Sequence, residues 1–193
     1  MQKFLAYLLP VMLLPNFSAS RADELDELIL NSKKLADNYS SQLLTAYDNA
    51  YSAVSFDAVR EVCRKTALEL ANRLSTNGHV IRRISVHPLN EQNIPDQTEK
   101  KVLQDFIARQ TEGKEVDKLV WYKLQETGNR SEFRYIKAFI LEQRCITCHK
   151  TQTSENEPLP ELAAYSVKRI ETKNYFPEEF SGEQHKPLPV FEE

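Results

Sequence analysis

The five residues Cys145-Ile146-Thr147-Cys148-His149 carry the most definite chemistry in this sequence. Two thiols at this spacing can add to the vinyl groups of a porphyrin and tether it by thioether bonds. The histidine that follows then lies beneath the ring, with its imidazole free to bind iron axially. The pentad therefore predicts one covalent haem c, attached through Cys145 and Cys148, with His149 as the proximal iron ligand. Other readings of these residues are weaker. A thioredoxin-like redox pair would open a helix after a strand, whereas here a polar run from Lys150 to Glu157 follows. A disulfide between Cys145 and Cys148 leaves His149 without a role. An iron–sulfur cluster lacks a fourth cysteine. The sharper rival is zinc, because Cys63, Cys145, Cys148 and His149 make a Cys3His set.

The opposite face of the iron has several candidates: Cys63, His79, His87, His185, or no ligand. A lone cysteine on an apolar helix face is commonly a small buried hydrophobe. His79 starts a strand, His87 lies in a loop that suits a haem-pocket contact as well as a ligand, and His185 is in the tail. Methionine is excluded as a ligand of the mature chain, because Met1 and Met12 both fall in the leader described next.

Met1-Gln2-Lys3 is a short cationic start, Phe4 to Leu14 is almost wholly apolar, and small residues follow. That order predicts a signal peptide over residues 1–22, cut after Ser20 or Ala22, and an exported, periplasmic or secreted protein. The apolar run is short for a membrane span and is interrupted by Pro10 and Pro15. No membrane insertion of the mature chain is expected. Export agrees with haem attachment, which takes place outside the cytoplasm. The 193 residues, 41% of them hydrophobic, suit one ordinary domain over residues 23–193. A net charge of −3 argues against a nucleic-acid partner.

The elements that must position these groups can be read from periodicity. Asp23 to Tyr51 has no Pro or Gly and reads as one long helix. Ser55 is an N-cap for a second helix to about Ser75, with Phe56, Val59, Cys63, Ala67, Leu70 and Leu74 on its inward face. Asn77-Gly78 ends that helix. His79 to Val86 is β-branched and predicts a strand. His87 to Gln97 is an ordered loop, and Thr98 to Gln110 a third helix. Leu119 to Glu126 and Ser131 to Ile140 form a hairpin around Thr127-Gly128-Asn129-Arg130. Pro160 is expected to open a last short helix through Ile170, with an irregular tail after about Asn174. The sum is an α+β fold with a small antiparallel sheet and long N-terminal helices.

Three blocks of residues resemble a bacterial family of single-haem proteins, formerly catalogued as a domain of unknown function. Its domain has a PAS-like fold and a c-type haem with Cys/His axial ligands. The blocks are Val62-Cys63-Arg64; Arg82-Arg83-Ile84-Ser85 with Pro88, Asn90, Asn93, Pro95-Asp96, Glu99, Leu103 and Phe106; and Phe133-Arg134-Tyr135 with Lys137 and the pentad. They span about residues 23–150. The resemblance implies that Cys63 is the distal iron ligand and that Arg82, Arg83 and the Pro/Asn loop line the haem pocket. The sequence departs from the family pattern at His87, where arginine is usual, at Thr98, where an aromatic is common, and at Lys150, where glycine is usual. The family's C-terminal strand is reduced here to Tyr175-Phe176-Pro177, which predicts a sheet one strand shorter.

With both axial positions filled, the iron has no open site for oxygen or peroxide, which favours electron transfer or redox sensing with an unidentified redox partner protein. The alternatives are a gas-responsive sensor in which carbon monoxide or nitric oxide displaces Cys63, a peroxidase-type enzyme using His87 beside an open iron, and a Cys3His zinc module.

Overall fold

The computed structural model describes residues 21–53, 55–88, 90–141 and 161–172. Residues 1–20 of the expected leader, the pentad, His185, Tyr175-Phe176-Pro177 and the tail lie outside these residues.

The long first helix, α1 (Arg21–Ser52), runs uninterrupted. Leu28, Ser32, Ala36 and Tyr39 are buried along one stripe at three- and four-residue spacing, as a helix facing a core requires. Ser55 caps α2 (Phe56–Glu61) by accepting from the Ala58 amide at 3.2 Å. The predicted second helix then contains a turn of π-helix, Val62–Thr66, before continuing as α3 (Ala67–Leu74). Asn77 and Gly78, with φ of 51° and 77°, make the left-handed step into β1 (His79–Ser85). A single turn of 3-10 helix (Glu91–Asn93) leads to α4 (Gln97–Thr111). A full capping box starts α4, in which the Asp96 carboxylate accepts from the Glu99 amide and the Glu99 side chain from the Asp96 amide. The hairpin is β2 (Val120–Thr127) and β3 (Arg130–Ile140). Gly128, at φ 59°, occupies the turn position that favours glycine.

Residues 162–172 correct the expectation of a last short helix. They form β4 (Leu162–Thr172), an eleven-residue strand. The sheet is antiparallel with order β1-β4-β3-β2, so β4 is central; the expectation about Tyr175-Phe176-Pro177 falls outside the described residues. The misreading has a physical cause. Leu162 to Val167 is buried at every position, so apolar residues face both sides and the alternation that identifies a half-exposed strand is absent. Alanine at 163 and 164 added a helical bias.

The fold is α+β, with helices on both faces of the sheet. One face packs against α1 and α3 through Ile81, Phe133, Tyr135, Tyr165 and Val167. The other packs against α4 through Ile84, Ile136, Ala138, Leu162 and Ala164, which meet Val102, Leu103 and Phe106. Burying side chains such as Leu103 and Phe106 stabilises the fold by about 1.5–3 kcal/mol each.

Candidate functional site

Cys63 is the second residue of the π turn. A regular α-stripe through Val59 and Ala67 would have buried it. The π turn changes the register, so its neighbour Val62 is buried while Cys63 is half-buried against Tyr47, Val59 and Val62. The expectation that Cys63 faces fully inward is corrected to a place at the rim of this small cluster.

Alternation along β1 sends Arg82 and Arg83 to opposite faces of the sheet. Arg82 lies on the α4 face. Its guanidinium donates to the backbone oxygens of Gln92 at 2.9 Å and Ile94 at 2.8 Å and pairs with the buried Glu99 carboxylate. These contacts tie the Pro/Asn loop and α4 to the sheet. Arg83 lies on the α1 face and donates from Nη2 to the Cys63 carbonyl oxygen at 3.4 Å. It also stands beside the hydroxyl of Tyr39. Burial pushes the Tyr39 phenol above its usual value, against the lowering influence of Arg83. Of the two arginines, the structure brings only Arg83 to Cys63.

Tyr39 is 1% exposed and anchors an aromatic row on this face. Its ring meets Tyr165 edge-on at 5.6 Å, and Tyr165 stacks on Phe139 at 4.3 Å. Tyr165 is also paired across the sheet with Arg83 on β1 and Lys137 on β3. Lys137 reaches Asp37 of α1 at 2.7 Å. Beside this pair a cleft of about 340 Å3 opens between α1 and the end of β3, lined by Asp37, Ser40, Lys137, Phe139, Ile140 and Tyr165.

The next row on this face, two residues on towards the sheet end, is Ser85, Ala163 and Phe139. Two of its three side chains are small. There the Leu141 amide donates to the Glu161 carbonyl oxygen at 3.0 Å, and the Ser85 hydroxyl donates to the Glu161 carboxylate at 3.0 Å. Leu141 and Glu161, the described residues on either side of 142–160, thus meet beside the end of β1. The pentad lies within that segment.

His87 is exposed just past β1, with its amide donating to the Ser85 hydroxyl at 3.1 Å. His79 is at the other end of β1, half-buried next to Arg169 and roughly 20 Å from Ser85 along a strand of that length. The structure does not bring His79 to Cys63. Among the described residues, no group of three or more His, Cys, Asp and Glu side chains could hold a metal ion, and no helix is long and apolar enough to cross a membrane. Sequence reasoning missed Tyr39, Phe139, Glu161 and Tyr165. Glu161 and Tyr165 fell within the segment read as a helix, and Tyr39 was one aromatic in an otherwise ordinary stripe.

No curated protein and no solved structure matches the chain. The family model described as Tll0287-like (Tll0287) matches residues 18–181, well over half of the 193 residues. The chain, with its thiol-bearing π turn packed beside a four-stranded sheet, belongs to the Tll0287-like family.

Proposed function

We propose that the protein is an exported cytochrome-like protein with one covalent haem c, working in electron transfer or redox sensing. The family name supports the coarse reading. The observation that supports the finer one is that Leu141 and Glu161, which flank the segment carrying Cys145-x-x-Cys148-His149, meet at the same end of the sheet as Arg83, whose guanidinium reaches the Cys63 carbonyl oxygen. Cys145 is four residues beyond Leu141, so chain geometry keeps it within about 14 Å of that anchor.

The residues present fit a haem by their chemistry. A half-buried thiol, an arginine beside it, an aromatic pair and a row of small side chains are gathered on one face. In this reading Cys145 and Cys148 hold the porphyrin, and His149 and Cys63 supply the axial ligands. When bound, the haem supplies one-electron redox chemistry. A thiolate from Cys63 favours the ferric state and lowers the reduction potential. Phe139 and Tyr165 offer apolar surface that excludes water. Arg83 holds a positive charge where a thiolate or a propionate stands. Arg82 serves the fold on the opposite face.

The test is spectroscopic. Protein made in a host competent in cytochrome maturation should carry a Soret band that survives acid–acetone extraction. Cys63→Ala should convert a low-spin ferric spectrum to high-spin. Colourless, zinc-bearing protein, or pigment lost wholly to the solvent, would overturn the proposal.

A further inference from the structure

The helix that carries Cys63 changes register at that residue. In an α-helix the Ala67 amide would bond the carbonyl four residues back, which is that of Cys63. Here it bonds Val62 instead. Such π insertions are rare and occur frequently at functional sites. Two side chains from other elements meet this one. Arg83 of β1 donates to the Cys63 carbonyl oxygen at 3.4 Å, and the Tyr39 hydroxyl of α1 donates to the Ala67 carbonyl oxygen at 3.0 Å. The two contacts fall at either end of the register shift. Both donors are fixed in turn. Tyr39 is 1% exposed and rests on Tyr165, and Arg83 is paired across the sheet with Tyr165.

We infer that Arg83 and Tyr39 form a clamp that holds the π register and so keeps the Cys63 side chain at the rim of its cluster, where it can act as a ligand, instead of in the core. Both are positioning residues, and the inference rests on the haem reading above. Relaxation to a regular α-helix would move Cys63 to the buried stripe that Val62 now occupies. The thiol would then be withdrawn from any group bound at the sheet end. Arg82 cannot substitute, because it faces α4 and is held by Glu99, Gln92 and Ile94.

The experiment uses the full, haem-loaded chain with Arg83→Gln and Tyr39→Phe made separately, and Glu99→Gln as a control on the other face. Two properties are read: the low-spin ferric spectrum with its midpoint potential, and hydrogen exchange at the amides of Thr66, Ala67 and Leu68. Loss of either clamp contact should speed exchange at these amides about tenfold. It should also shift ferric haem towards high spin and move the potential upward, while the control changes neither. Tyr39→Phe keeps the ring and its packing, so it decides the matter even if Arg83→Gln does not fold. Wild-type exchange in the variants would overturn the clamp. Faster exchange with an unaltered spectrum and potential would overturn the positioning role. Cys63→Ala separates this from the haem reading: an unchanged spectrum in that variant removes thiolate ligation, while exchange still reports on the clamp.

Discussion

Glu99 of α4 and Arg82 of β1 form an ion pair whose carboxylate side chain is 2% exposed while the guanidinium is 29% exposed. The other carboxylate oxygen accepts from the Ser166 hydroxyl at 2.6 Å, so a single buried acid joins α4 to β1 and β4. Glu99→Ala should leave the Arg82 charge, the Ser166 hydroxyl and the Asp96 amide without this partner. Removing one member of a buried pair is costly, and with Arg82 partly hydrated the loss should be roughly 3 kcal/mol. Urea unfolding should show a lower midpoint with an unchanged slope. A loss under about 1 kcal/mol would contradict the assignment.

Acid should weaken the same face of the sheet. The Arg134 hydrogen bond to Glu132 holds that carboxyl below its usual value despite some burial. Burial alone would raise Asp96, but the Glu99 amide, Arg134 and Lys168 hold it below its usual value. Both groups bind protons less readily folded than unfolded. Their contribution is complete above the unfolded values near about pH 4 and is lost as pH falls through the lower folded values. Stability measured by urea should therefore fall between about pH 4 and pH 2, and Arg134→Gln should flatten that fall.

His79 gives a second, separate pH response. Burial and then the neighbouring Arg169 hold its imidazole below the usual value. The folded state thus favours neutral histidine. This contribution is present above the unfolded value near about pH 6.5 and is lost as pH drops through the lower folded one. His79→Gln should remove a decline in stability between about pH 7 and pH 5 without touching the acid transition. Identical pH profiles for the two proteins would rule out His79 as its source.

Ala164 tests the placement of β4. It is fully buried between β1 and β3, facing α4. Ala164→Leu should overpack this layer and cost about 1–3 kcal/mol in thermal or urea unfolding. On a short surface helix the same change would be nearly neutral.

Most of the fold was legible because local chemistry agreed with the final structure. Gly128 turns the hairpin, Asn77-Gly78 separates helix from strand, and Ser55 caps where expected. What failed were the places where neighbours decide. Leu162 to Val167 lacks alternation because both its faces are covered, and that cover is supplied by helices far away in sequence. The π turn left no mark, since three- and four-residue spacing tolerates one extra residue. For the site, the pentad and the adjacent Arg82 and Arg83 were plain in the sequence. The resemblance set both beside the haem pocket, whereas alternation along β1 sends them to opposite faces and only the Arg83 side meets Cys63. That required knowing where α1 and α4 pack.

The order of strands in space differs from their order in synthesis. Among the described strands the last made lies between the first and third, and β1 pairs only with β4. During synthesis the sheet that links β1 to the hairpin cannot be completed until residue 172 is free, although α1 and α4 also meet β3 directly. Glu161 meets Leu141 and Ser85 only at that step. Under the proposed haem attachment, an enzyme acting on Cys145 and Cys148 would have a window set by biosynthesis, before the strand that follows them docks.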